Sequence, residues 1–402
     1  GKVEIEKYSH SNEGGSGFLS ALPGAEFTFT LKSTGKVYDK VTTDKNGHAI
    51  TKDLPFGTYI VQETKTPKGY IPIGDLEVEI KDHGKVKNYK IVDGDFKKFV
   101  KIIKQDEETK KPIAIAGTTF KVKDMKTGEF ITQKINYPTP MELDEFETNE
   151  EGYLVLPTEL KYGQYELHEV KAPEGYVLSE DPIPFEVSEE TMVGDTVTVA
   201  FGNFPQLGKA TILKTGDSIS KAVEEETEFG LMYNLEFEQR ELEGATFNVI
   251  AREDIVTNDG TVRAKAGEVV DTIVTNEEGL ATTTTLHLGK YEMVEVDAPE
   301  GYVVDKTPIP FELEYAGQDV EVTSNDGITA VNHLQNLVVH THKVDEQVVE
   351  WKDGKAVTDF IPSNDKMFGL FTRDAITLDE ENIVPENTLV GYAQTTDGVA
   401  EI

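Results

Sequence analysis

The stretch LKYGQYELHEVKAPEGY, Leu160–Tyr176, decides the fold. Tyr165, Leu167 and Glu169 alternate with outward positions, the period-2 pattern of a half-buried strand. Pro-Glu-Gly-Tyr then breaks it, because Pro presets φ and Gly accepts positive φ. The unexpected residue is Glu169, a carboxyl on the face that should pack apolar groups. The string recurs: LPFGTYIVQETKTPKGY covers Leu54–Tyr70 and LHLGKYEMVEVDAPEGY covers Leu286–Tyr302. Each copy places Gly six residues and Tyr four residues before its Glu, so Glu63, Glu169 and Glu295 are equivalent.

Repeats of this kind organise a chain before any other signal does. Working upstream, each copy has a turn rich in Asn, Asp and Gly: TTDKNG at Thr42–Gly47, then TNEEG at Thr148–Gly152 and at Thr275–Gly279. A fourth, TTDG, covers Thr395–Gly398. Before each turn comes a Gly-led strand: GAEFTFT from Gly24, GTTFKVK from Gly117, GATFNVI from Gly244, and FGLFTRD around Gly369. Short alternating strands between turn signals, with almost no helical periodicity, predict an all-β chain of tandem Ig-like antiparallel β-sandwich domains in an elongated array. The boundaries expected are 1–95, 96–205, 206–336 and a partial fourth domain, 337–402. Two stretches interrupt the repeat, 216–243 and 345–366, and are expected to be extra hairpins or loops, with disorder as the alternative.

Composition limits the partners. The 402 residues carry a formal net charge of −35, and such a surface repels nucleic acid and anionic membranes. There is no cysteine, so disulfides cannot stabilise the chain. No apolar run reaches the roughly 18 residues of a membrane-spanning helix. The first residue is Gly1 and no signal peptide precedes it, so a fragment of a longer protein is expected. The fourth unit stops at Ile402, before any Glu block of its own.

Each unit opens on an alternating strand that ends in Lys on its apolar face. Val3 and Ile5 lead to Lys7, Val100 and Ile102 to Lys104, Ala210 and Ile212 to Lys214, and Val339 and Thr341 to Lys343. Eleven residues before each later lysine stands Asp93, Asn203 or Asn332, at the end of the previous unit's last strand. A complete unit therefore points a Lys, a Glu and an Asn or Asp inward. Burying lone charges is costly, so such groups neutralise or pair. A Lys desolvated in an apolar core loses its proton readily and becomes a nucleophile. A buried Glu is expected to stay protonated and shuttle protons. The amine can then attack the carboxamide, releasing ammonia, or the Asp carboxyl, releasing water. The fold itself supplies the effective concentration. The plain alternative is a buried ion pair without a covalent bond.

The Lys strand, the Gly-Ala-x-Phe strand, the Asn/Asp-x-x-Gly turn, the Gly-x-Tyr-x-x-x-Glu strand and the Pro-x-Gly-Tyr turn together resemble the B-type repeat of the collagen adhesin, also found as the SpaA-like pilin domain of Gram-positive surface proteins. The resemblance implies one intramolecular isopeptide bond per domain. By matched position these are Lys104–Asn203 with Glu169, Lys214–Asn332 with Glu295, and Lys7–Asp93 with Glu63. It also implies a structural stalk in a wall-anchored, extracellular adhesin or pilin, with neighbouring domains of the same surface protein as partners. In the first unit Asn88 competes with Asp93. It is the family's commoner residue type, but it has the opposite parity to Tyr89 and Ile91, and Asp93 is preferred. A module binding a host extracellular-matrix protein through the insertions is the second reading, and a pilus backbone subunit the third. The stretch NYPTP, Asn136–Pro140, has no acceptor Lys for the latter.

Other motifs carry less. DKNG, Asp44–Gly47, lacks the bidentate Glu of an EF-hand and reads as a turn. LPTEL, Leu156–Leu160, resembles a sorting signal but lacks the Thr-Gly ending and reads as a strand end. The histidines of HTH, His340–His342, read as strand surface, and the single Trp351 as core or cap. No phosphate loop, metal-ligand cluster or nucleophile–His–acid set is evident, so no cofactor, no metal and no action on outside substrates are expected.

Overall fold

The structure, a computed structural model, describes residues 1–10, 19–136, 138–378 and 380–402. Tyr137 of the NYPTP stretch lies outside them. The chain divides into two compact units. One is Gly1–Gln206 with the short segments Thr257–Thr261 and Gly317–Glu321. The other is Leu207–Val256, Val262–Ala316 and Val322–Ile402.

In the first unit the lysine strand Lys2–His10 alternates buried and half-exposed residues along its length, as its sequence requires. It pairs in parallel with the closing strand Val86–Asp95 and antiparallel with Leu19–Ala21 and His48–Ile50. A second, antiparallel sheet runs in the order Lys36–Thr42, Glu26–Leu31, Gly57–Lys65, Leu76–Ile80. Val3, Ile5, Phe27, Phe29, Tyr59, Val61 and Val78 fill the core between them. Fully burying a side chain of this size is worth about 1.5–3 kcal/mol. The arrangement repeats: Lys97–Asp106 pairs in parallel with Thr196–Asn203, over a sheet of Phe146–Glu147, Thr119–Asp124, Gly163–Lys171 and Ile183–Val187.

The second unit repeats it again. Leu207–Thr227 pairs in parallel with Val322–Asn332. The facing sheet is Val269–Val274, Thr246–Ala251, Gly289–Asp297 and Ile309–Leu313. The sandwiches are thus antiparallel except at one place in each, where the first and last strands lie side by side in parallel. A parallel pair needs a long crossover, and here nearly the whole repeat provides it.

Both insertions are hairpins. The third repeat's lysine strand runs on to Thr227 and returns as Gly230–Glu241. In the fourth repeat Val344–Lys352 returns as Lys355–Pro362 through Asp353 and Gly354, both at positive φ. Trp351 is not in a core: it is 71% exposed on this hairpin, because the two-stranded ribbon has no layer above it among the described residues. His340 and His342 lie exposed on the strand His340–His342. Among the described residues the fourth repeat's Gly-led strand, Met367–Phe371, pairs only with Leu389–Gln394, which in turn bridges to the third repeat's hairpin at Met232↔Leu389.

One backbone frame recurs four times. The amide of Lys7, Lys104, Lys214 or Lys343 donates to the carbonyl of Gly47, Gly152, Gly279 or Gly398, respectively, at 2.7–2.8 Å. These glycines close the Asn/Asp-x-x-Gly turns at positive φ. A Cβ on Gly47 or Gly279 would sit against the carbonyl oxygen of the lysine, closer than atoms pack. The turn glycine therefore places the lysine as well as turning the chain.

Candidate cross-linking sites

The parallel register brings the candidate residues together. Lys7 stands beside Ile91, Lys104 beside Phe201 and Lys214 beside Ala330. Asp93, Asn203 and Asn332 come two residues later on the closing strand, on the same face and diagonal to the lysine. The Glu strand faces them from the opposite sheet. Side chains of Lys7, Lys104, Lys214 and their three glutamates are all at most 1% exposed.

In the second repeat the Lys104 amine lies 3.1 Å from Glu169 Oε1 and donates to the Phe201 carbonyl at 3.2 Å. The Asn203 carboxamide nitrogen donates to Glu169 Oε2 at 2.6 Å and to the Val177 carbonyl. Both of its hydrogens are thereby used, while Asn203 Oδ1 is buried with no hydrogen-bond partner. In the third repeat Lys214 Nζ donates to Asn332 Oδ1 at 2.5 Å and lies 3.2 Å from Glu295 Oε1, which accepts from Asn332 Nδ2 at 2.9 Å. In the first, Lys7 Nζ donates to Glu63 Oε2 at 2.6 Å and to Asp93 Oδ1. Asp93 is fully buried, whereas Asn88 is exposed and pairs beside Glu4, well along the strand from Lys7.

Burial dominates the electrostatics. It pushes the Lys104 amine down to about 8, against the pull of the Glu169 carboxylate. Lys214 is likewise depressed by burial, opposed by Glu295. The Asp93 carboxyl is pushed up to about 6 by burial, with Lys7 pulling the other way. Each shift moves its group toward the neutral form, as desolvation requires.

Several residues that sequence reasoning missed complete each site. An aromatic ring stands over each amine: Phe27 at 5.2 Å from Lys7, Phe120 at 5.9 Å and Phe201 at 4.6 Å from Lys104, and Phe247 at 5.5 Å from Lys214. The signal was in view, since Phe27, Phe120 and Phe247 are the same residue of the Gly-led strand. The backbone amide ten residues after each Glu donates to its Oε2: Ile73 at 3.4 Å, Ser179 at 3.0 Å and Asp305 at 2.7 Å. The Pro-x-Gly-Tyr turn brings that amide back over the Glu. In two repeats its tyrosine ties the turn to the lysine strand, Tyr176 donating to Asp106 Oδ2 at 3.1 Å and Tyr302 to the Asp217 carbonyl at 2.7 Å. The earlier tyrosines, Tyr59, Tyr165 and Tyr291, donate to the carbonyl four residues upstream. This fixes the entry to the Glu strand in the manner of a tyrosine corner.

The sequence matches the SpaA family, a prealbumin-like fold domain, over residues 1–95, 98–200 and 236–328. The chain belongs to this family. It is an all-β, tandem-repeat chain of SpaA-like pilin domains. No curated protein matches it by sequence. Among solved structures, the Bacillus anthracis TIE protein is similar at 23% identity and TM-score 0.45, over 83% of this chain and 50% of that one. The SpaA-like chain thus spans about half the length of that structure. BcpA, the major pilin subunit of Bacillus cereus, is similar at 16% identity and TM-score 0.29, over 83% of this chain and 99% of its own. The shaft pilin SpaA of Lactobacillus rhamnosus GG is similar at 15% identity and TM-score 0.23, over 51% and 97%. No helix among the described residues is long and apolar enough to cross a membrane.

Proposed function

We propose that this SpaA-family chain is a structural stalk segment of a wall-anchored Gram-positive surface protein, an adhesin or pilin, whose repeats are stiffened by isopeptide bonds that they form themselves. The supporting observation is the burial of Lys, Glu and Asn or Asp in contact, three times, where first and last strands meet. Its partners would be neighbouring domains of the same surface protein. The 1–95, 96–205 and 206–336 repeats would each be one cross-linked domain, with 337–402 belonging to a fourth.

The chemistry follows from the contacts. Neutral Lys104 attacks the Asn203 carbonyl carbon, forming the C–N bond. Glu169 bridges the two nitrogens, one oxygen to each. It takes the proton released from the amine and returns one to the departing carboxamide nitrogen, so the C–N bond of Asn203 breaks and ammonia leaves. In the first repeat the Asp93 carboxyl, held toward its neutral form, loses water instead. Burial prepays the positioning that an outside enzyme would otherwise supply.

Intact mass tests this directly. The expected chain is lighter than its sequence by two ammonias and one water. An unmodified mass refutes the proposal. Loss of a third ammonia in place of the water assigns the first bond to Asn88.

A further inference from the structure

The third and fourth repeats carry the same element in the same place. In the third, the hairpin leaves directly after Lys214, with Thr215 paired to Glu241 and the Leu242 amide donating back to the Lys214 carbonyl. In the fourth, it leaves after Lys343, with Val344 paired to Pro362 and the Ser363 amide donating to the Lys343 carbonyl. The third repeat's hairpin is occupied. Met232 bridges in parallel to Leu389, and the Phe229 ring lies 5.1 Å from Tyr392. The strand it meets, Leu389–Gln394, is the outer strand that leads into the Thr-Thr-Asp-Gly turn. The fourth repeat's hairpin is bare among the described residues, with Val348 52%, Trp351 71% and Phe360 67% exposed. A two-stranded ribbon showing a Trp and a Phe to water is a docking surface awaiting a layer.

We infer that the hairpin 344–362 is an arm that docks on the outer edge strand of another repeat of this fold, and that it can take Lys36–Thr42 in the first repeat of a second copy of this chain. Lys36–Thr42 leads into the first repeat's TTDKNG turn, as Leu389–Gln394 leads into the fourth's. It is the terminal strand of its sheet, with Val37 exposed and one edge unpaired among the described residues. Charge selects it. The arm carries Asp345, Glu346, Glu350, Asp353 and Asp359 against Lys352 and Lys355, while the acceptor carries Lys36 and Lys40 against Asp39. The third repeat's equivalent strand, Val269–Val274, has Asp271 and no lysine. With −35 on each copy, whole chains repel, so a contact must be locally complementary to form. Donor and acceptor are different surfaces, so each copy offers one of each, and the contacts either run on head-to-tail or close reciprocally between two copies. The inference stands on the hairpins and is independent of the covalent bonds.

Sedimentation velocity of the whole chain tests it, from ~1 µM to ~1 mM at ~0.15 M salt. The expected result is self-association that grows with concentration, as a reciprocal dimer or an open series, with Trp351 emission moving to shorter wavelength. Trp351→Glu, and separately Lys36→Glu with Lys40→Glu, should each leave monomers. An equimolar mixture of the two variants should stop at a one-to-one dimer, since one supplies only an arm and the other only an acceptor. Unchanged melting shows that the variants are folded. A wild-type chain that stays monomeric throughout overturns the inference. So does association that survives Trp351→Glu, or a dimer that survives the lysine reversals, which would mean that arms pair with each other.

Discussion

Replacing Lys214 by Met gives the sharpest measure of what the proposed bonds contribute. Lys214 and Asn332 are 118 residues apart in sequence, so their bond closes a loop of that length. Treated like a disulfide, such a loop removes about 16 cal/mol/K from the unfolded chain, or about 5 kcal/mol at 25 °C. Two local effects act on the folded side. Met fills the slot under Phe247 without the desolvation cost of an amine, a gain. Glu295 loses its contact with Lys214 but keeps hydrogen bonds from the Asp305 amide and the Asn332 carboxamide, so the loss is partial. The net expectation is about 3–5 kcal/mol less stability in the third repeat, lowering its melting temperature by on the order of 10–20 °C. Calorimetry on the full chain should show one transition moving and the others unmoved, while intact mass shows one ammonia loss fewer. If the mass reports the bond gone and no transition moves by more than a few degrees, the unfolded-state account is wrong. If Lys214→Met leaves the mass deficit intact, Lys214 was never the nucleophile.

Four further outcomes follow. Glu169→Ala should leave the second repeat folded but unjoined, and a tryptic map still containing the branched Lys104–Asn203 peptide would contradict its role as proton carrier. In Asn203→Ala, which keeps Lys104 free, the depressed pKa of Lys104 makes its stability contribution present above about 10.5 and lost as pH falls through about 8. The variant should therefore gain up to about 3 kcal/mol between those pH values relative to Asn203→Ala/Lys104→Met, and denaturant titrations that run parallel in pH would refute the shift. Lys343 is 43% exposed on its side chain and, among the described residues, paired only to Asp345 at 3.5 Å, so an amine-acylating reagent should label it and spare Lys7, Lys104 and Lys214. Hydrogen exchange after residue 337 should likewise outpace that in 96–336, and equal protection would mean that the fourth repeat is better closed than its single-partnered Met367–Phe371 strand indicates.

Much of the site could be read from the sequence because its logic is local. Period-2 alternation alone put Lys7, Glu63 and Asp93 on inward faces, and the same parity set Asn88 aside. What could not be read is the relation between strands nearly a hundred residues apart. Parallel pairing of Lys2–His10 with Val86–Asp95 leaves no mark on either strand, since a period-2 pattern looks the same in both directions. The phenylalanines over the amines were visible as repeated residues, yet a Phe in a strand reads as core until its neighbour is known. The backbone amides of Ile73, Ser179 and Asp305 carry no residue preference at all. Trp351 was misplaced for a related reason: hydropathy says that a side chain prefers cover, and cannot say whether the chain supplies it.

The interval of eleven residues between Asp93 and Lys104, Asn203 and Lys214, and Asn332 and Lys343 sets a length. Should the three bonds form, a pull on the two ends passes through each cross-link and then along only that short connector, bypassing the rest of the repeat. Eleven residues drawn straight reach about 36–40 Å, so three connectors give roughly 110–120 Å of extendable chain between Lys7 and Lys343. The same interval uncrosslinked would run out to more than about 1,100 Å at the same rise per residue. In the proposed stalk the slack would then be fixed by the spacing of residues in sequence, whatever the folding stability of any one repeat, and moving an asparagine along its strand would change the reach of the stalk before it changed its strength.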